Sequence, residues 1–78
     1  MFFMVAVTDI LDRITIIPDL CSGDPTIRAM RLRVSTVLEA LACGATRNDL
    51  LESYPSLEDE DITASLAYAA RLTLKSAA

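Results

Sequence analysis

The sequence has no histidine and no tryptophan, only two glycines and three prolines, and no long uninterrupted apolar run. Without histidine it lacks the commonest general base at neutral pH and the commonest metal-binding side chain. Its two cysteines, Cys21 and Cys43, stand too far apart in the chain for a C-x-x-C clamp. Composition therefore argues against metal-dependent hydrolysis, and neither metal nor cofactor is expected. Scarce glycine and proline beside 53% hydrophobic residues also argue against a disordered acidic chain, although the net charge is −4. Asp9 and Asp12 interrupt the first apolar stretch, so no window reaches the roughly 18 to 20 residues of a membrane span. Met1 to Val7 reads MFFMVAV and lacks the basic n-region, following h-region and cleavage site of a signal peptide. The expectation is a cytoplasmic protein that does not associate with membranes and whose thiols stay free.

A chain of 78 residues buries only about 60% of the surface its unfolded form exposes. That suffices for one small core and one domain. Self-association is a common route to further burial at this size, so a homodimer is expected.

Along the chain, Ile14 and Ile16 alternate with Arg13 and Thr15, which predicts a short strand ended by Pro18. Asp19 to Pro25 gathers Asp, Ser, Gly and Pro and predicts a loop. From Ile27 to Val34, Met30, Leu32 and Val34 fall on one face of an extended segment and Ala29, Arg31 and Arg33 on the other, which predicts a second strand. The period then changes. Val34, Val37, Leu38, Leu41 and Ala42 share one helical face, and Gly44 stops that helix. Thr46 to Asp49 is a capping box with Asp in place of Glu, opening a two-turn helix that Pro55 ends.

Glu58, Asp59, Glu60 and Asp61 open a third helix, favourably placed at the positive end of its dipole, and this helix runs to about Lys75. Its apolar face is Ile62, Leu66, Ala69 and Thr73, with Ala64, Ala67 and Ala70 permitting close approach of neighbouring backbone. The fold class expected is mainly α with a short N-terminal β-hairpin and a three-helix, helix-turn-helix-like core, assembled as a dimer. Residues 1–12 read as an N-terminal extension, 13–75 as the single domain and 76–78 as a frayed tail.

Little in this layout can carry catalysis. The four consecutive acids lack the spacing that wraps a chain round calcium, and read instead as a solvated helix start. Ser35, Thr36 and Ser65 have no partner base in a chain without histidine, so the chain reads as a non-enzyme. Charge segregation is more informative. Arg28, Arg31 and Arg33 lie within six positions and Arg13 joins them if the strands pair, whereas Asp49 to Asp61 holds six carboxylates and no base. Arg13, Arg28, Arg31 and Arg33 are therefore the candidate nucleic-acid contacts, because arginine pairs bidentately with phosphate. The competing reading is an edge strand whose charges discourage aggregation. Met30, Leu32, Phe2 and Phe3 are the candidate partner or dimer contacts, being too apolar to be left in water. The second and third helices have the lengths of a helix-turn-helix, but the acidic start of the third would face phosphate unfavourably.

Taken in order and spacing, Arg13-Ile14-Thr15-Ile16, Pro18, Gly23-x-Pro25-x-Ile27-Arg28, Arg31, Val34, Leu38, Gly44, Tyr54-Pro55-x-Leu57, Asp61-Ile62 and Ala64-x-Leu66-Ala67-Tyr68-Ala69 form a fairly specific pattern. The chain over Arg13 to Arg71 resembles the domain of unknown function 433 (DUF433) family of small, antitoxin-like proteins. The resemblance implies a helix-turn-helix domain preceded by a short β segment, pairing with a PIN-like nuclease toxin and with promoter DNA as a second target. Where that family usually has Gly-Lys-Pro and Arg-Gly-Thr-Arg, this chain has Gly23-Asp24-Pro25 and Arg28-Ala29-Met30-Arg31. If the replaced glycine serves a positive φ, Ala29 either costs about 1 kcal/mol or forces another local path. The alternatives to an antitoxin are a stand-alone helix-turn-helix regulator and an oligomerisation module that binds no DNA.

Overall fold

The computed structural model describes residues 10–77 and their side chains as far as Leu74. The expectations for Phe2, Phe3 and the rest of Met1 to Asp9 lie outside the described residues. A single 3-10 turn at Leu11–Arg13 leads into strand β1 (Ile14–Thr15), which pairs antiparallel with β2 (Thr26–Ile27), Ile14 opposite Ile27 and Thr15 opposite Thr26. The Thr15 and Thr26 hydroxyls lie 3.0 Å apart and hydrogen bond across the pair. The expected hairpin is present, although each strand is only two residues long.

Between the strands the loop turns through Cys21, Ser22 and Gly23 at φ 51°, 58° and 82°. Both cysteines are free thiols.

The expected second strand over Ile27 to Val34 does not form. After Ile27 the chain reverses through Arg28 and Ala29, at φ 44° and 60°, and the Met30 N–H closes the turn on the Ile27 carbonyl at 2.8 Å. Two successive left-handed residues closed in this way are the mark of a tight hairpin turn. The returning chain runs beside β2, with the Ile27 N–H on the Leu32 carbonyl at 3.0 Å and Thr26 bridged to Arg33. Alternation of Met30, Leu32 and Val34 is compatible with extended chain, but the reversal at Arg28 is fixed by contacts with distant elements. The Arg28 N–H reaches the Arg13 carbonyl at 2.7 Å, and the Ala29 N–H donates to Thr15 Oγ1 at 2.8 Å. Ala29 thus follows the left-handed path instead of avoiding it.

Three helices follow. Helix α1 (Val34–Ala42) ends in a Schellman motif, with the Ala45 N–H on the Ala40 carbonyl, the Gly44 N–H on the Leu41 carbonyl, and Gly44 at φ 104°. Helix α2 (Arg47–Ser53) opens with the expected capping box. The Asp49 N–H donates to Thr46 Oγ1 at 3.0 Å, and the Thr46 N–H donates to Asp49 Oδ2 at 2.9 Å. Helix α3 (Asp59–Ala77) is the longest, and ends two residues beyond the expected Lys75.

Ile27, Val34, Val37, Leu50, Leu57 and Ile62 form the core, so β2 and all three helices contribute to it. Ala64 and Ala67 are buried on α3, as their small size suggests. The expected apolar face of α3 is rotated, however: Asp61, Ile62, Ala64, Ser65 and Ala67 point inward, whereas Leu66 is 44% exposed. The rotation follows from Asp61, whose carboxylate is drawn inside by two arginines. No described helix is long and apolar enough to cross a membrane.

Candidate interaction surface

The arginines expected to face phosphate are distributed very differently from one another. Arg13 Nη1 lies 2.7 Å from Glu58 Oε1 and 2.9 Å from Asp61 Oδ1. Arg28 Nε donates to Asp61 Oδ1 at 3.0 Å, while its Nη2 reaches Asp61 Oδ2 at 2.8 Å and the Ser56 carbonyl at 2.9 Å. Arg33 Nε pairs with Asp24 Oδ2 at 3.0 Å on the surface. Arg31 is exposed and forms no ion pair with any described residue. Of the four candidates, the fold brings together only Arg13 and Arg28, around a carboxylate of the same chain.

That carboxylate corrects the reading of Glu58 to Asp61 as a uniformly solvated helix start. Asp61 is completely buried, although Glu58, Asp59 and Glu60 are exposed. Besides the two guanidinium groups it accepts the Glu58 N–H on Oδ2 at 2.8 Å, which satisfies a free donor at the start of α3. Burial pushes the Asp61 carboxyl pKa up, but hydrogen bonds from Arg28, from the Glu58 N–H and from Arg13 outweigh burial and hold it below the ordinary range. On the other side of the same helix start, Arg47 Nε pairs with Asp59 Oδ1 at 2.8 Å, and this bond holds the Asp59 carboxyl low as well. Three arginines therefore offset the acidic start of α3, which sequence order alone leaves unpaired.

Two of the candidate partner contacts, Met30 and Leu32, are half-buried against the core and form one wall of a groove of about 260 Å³. Its other wall is the α2–α3 connection, Tyr54 to Leu57, with Leu57 buried and Tyr54 36% exposed. Arg31 completes the lining. A second groove, of about 380 Å³, lies between the hairpin and α3, lined by Leu11, Ile14, Ile16, Tyr68, Arg71 and Leu72. Tyr68 and Leu72 also line a third groove, which runs past Pro25 to Val34 and Leu38. Ile16 is 60% exposed at this surface. The sequence reading missed Tyr54, Pro55 and Tyr68 as surface-forming residues. Pro55 at the break between two helical periods was their available signal, since it sets a rigid connection.

No curated relative matches the chain. Among solved structures, it is similar to the crystal structure, at 2.00 Å resolution, of a DUF433 member protein from Anabaena variabilis ATCC 29413. That similarity has a TM-score of 0.76 at 30% identity, covering 92% of this chain and 71% of the other. The family described as a protein of unknown function, DUF433, matches residues 14–69, a span running from β1 into the middle of α3. With the hairpin, the first two helices, the start of α3 and Arg28, Arg31 and Arg33 all inside that span, which exceeds half of the chain, this chain belongs to the DUF433 family.

Proposed function

We propose that this chain is the antitoxin of a toxin–antitoxin pair, a cytoplasmic homodimer without catalytic activity that acts by binding a PIN-like nuclease. The observation that carries the reading is the division of its surface: arginines suited to phosphate are engaged with the chain's own carboxylates, while apolar grooves stand open. Such a surface favours a protein partner over a nucleic acid, because apolar area released from water drives association. A chain without histidine, the commonest base that activates a nucleophile, also fits a role in which chemistry belongs to the partner.

Promoter binding is the second activity in this reading. It falls to Arg33, since the Arg33–Asp24 pair is exposed and exposed pairs of this kind are worth only about 0 to 1 kcal/mol. Exchange of Asp24 for phosphate is therefore inexpensive.

The test is affinity capture of the tagged protein from nuclease-treated lysate of its own host, followed by intact-mass analysis and sequencing of what co-elutes. A one-to-one PIN-fold partner whose expression alone arrests growth, relieved by co-expression of this chain, supports the antitoxin reading. Recovery of a homodimer alone at low salt overturns it. In that case a steep salt dependence of binding to its own upstream DNA, weakened by Arg31→Ala and Arg33→Ala, would leave the regulator.

A further inference from the structure

Resting on that reading, we infer that the groove between Met30–Leu32 and Tyr54–Leu57 recognises a partner segment in which an apolar side chain stands next to a carboxylate. At about 260 Å³ the groove lies below the roughly 300 to 1,000 Å³ typical of small-molecule pockets, and suits a single inserted side chain. Its walls come from Met30, Leu32, Tyr54, Pro55 and Leu57, which supply almost entirely apolar contact. Tyrosine exposed at the edge of such a groove, with a rigid proline beside it, offers large contact area at low entropic cost.

The groove is built before any partner arrives. Arg28 joins its two walls: its backbone lies in the turn that presents Met30, while its side chain holds the Ser56 carbonyl at 2.9 Å and buried Asp61 at 2.8 Å. The turn itself is kept at φ 44° and 60° in residues that carry a Cβ, a conformation in which the Cβ crowds the following carbonyl. Strain of this kind persists where surrounding contacts over-determine it, and it clusters at ligand clamps and other functional sites. Here its structural consequence is to place Met30, Arg31 and Leu32 in one groove with Tyr54 to Leu57.

Arg31 fixes the sign of the occupant. Arg13, Arg28, Arg33 and Arg47 each have a carboxylate of the same chain within 3.0 Å, whereas Arg31 here and Arg71 at the second groove have none among the described residues. In a chain of net charge −4, an arginine left unpaired at the rim of an apolar groove complements an anion from outside. The apolar walls favour a peptide, which brings an apolar side chain beside its carboxylate, over a phosphate backbone, which brings none.

The probe is the capped tripeptide Glu-Leu-Glu, titrated into isotope-labelled full-length protein and followed by backbone amide shifts, with capped Lys-Leu-Lys and a short DNA duplex as comparisons. Saturable shifts at Met30 to Leu32 and Tyr54 to Leu57 are expected, weakened about tenfold or more in Arg31→Glu and in Tyr54→Ala. Arg31→Lys should retain most of the binding, and unchanged spectra elsewhere in the variants verify folding. Shifts confined to Tyr68 and Leu72, no saturable shift, equal response to Lys-Leu-Lys, or stronger shifts of the same amides with duplex DNA would each overturn the inference. A PIN-fold partner that still co-purifies with Arg31→Glu and Tyr54→Ala leaves the antitoxin reading standing and removes this groove. Peptide binding in the absence of any such partner does the reverse.

Discussion

Two regions of this small molecule meet at the same turn and are built on opposite terms. At the junction of the hairpin with α3, a buried carboxylate is surrounded by donors: Arg13, Arg28 and the Glu58 N–H all converge on Asp61. One turn away, the Met30–Leu32 groove exposes apolar surface, with an arginine that lacks any carboxylate among the described residues. The junction spends its charges inside the fold, so it contributes stability and little recognition. The groove leaves Tyr54, Pro55 and Arg31 exposed above core-packed Leu57, Met30 and Leu32, and this uncommitted rim is what the proposed recognition uses. Arg28 and Arg31 are the same residue type three positions apart, and the difference between them lies in what α3 places opposite each.

The strongest way to break the comparison is to remove the centre of the junction. Asp61→Ala leaves two guanidinium groups without their partner and the Glu58 N–H without an acceptor. Loss of one partner of a buried pair typically costs about 3 to 5 kcal/mol, and partial solvation of both arginines places this case near the lower end, at about 3. For a domain of this size that lowers the thermal midpoint by more than about 10 °C. Calorimetry on wild type and variant measures it, and an unchanged midpoint would mean that the junction does not hold the hairpin to α3.

Acid tests the same centre without mutation. Asp61 has a folded pKa below its unfolded value of about 3.9, so its contribution is fully present above that value and is lost as pH falls through the folded pKa. Urea midpoints should be level between pH 7 and about 5, then fall below about pH 4. In Asp61→Asn the midpoint should be lower at neutral pH and fall less steeply with acid. An equal slope in both proteins would assign the acid sensitivity to other carboxylates.

How much of this was legible in the sequence follows from the range of the interactions concerned. The caps of α1 and α2 were readable because Gly44 and the Thr46/Asp49 pair act on backbone groups within a few residues. The return of the chain at Arg28 and Ala29 was not, since its backbone is held by the Arg13 carbonyl and the Thr15 hydroxyl far upstream, and the Arg28 side chain by Asp61 and Ser56, 33 and 28 positions downstream. The same separation hid the burial of Asp61 and therefore the rotation of α3 that leaves Leu66 outside. Arg13, Arg28, Arg31 and Arg33 read as one group, of which the fold brings together Arg13 and Arg28 alone, because composition gave no means of telling an arginine that binds its own chain from one that does not. Alternation in Met30, Leu32 and Val34 was a true signal of shared direction, attached to the wrong backbone path.

Local devices should yield smaller effects than the junction. Thr46→Ala removes the acceptor for the Asp49 N–H and should cost about 1 kcal/mol, read from urea unfolding. Ala29→Gly should act in the opposite direction. At φ 60° the alanine Cβ is strained, and glycine relieves that strain while adding freedom to the unfolded chain, for a net gain of roughly 0.5 kcal/mol. A loss on this substitution would show that the left-handed turn is set by something other than steric tolerance.

The smallest expected effect on stability sharpens the comparison most. Arg28→Ala should lower the thermal midpoint, because the variant gives up bonds to Asp61 and to the Ser56 carbonyl together. Arg31→Ala, three residues on, should leave the midpoint within the variation of an ordinary surface change, about 0.5 kcal/mol or less, since no described ion pair depends on it. Measured side by side by thermal unfolding, the two variants separate a residue whose charge the fold consumes from one whose charge it leaves available. Equal losses would mean that Arg31 also supports the fold, and the groove would then have no uncommitted cation with which to recognise a partner.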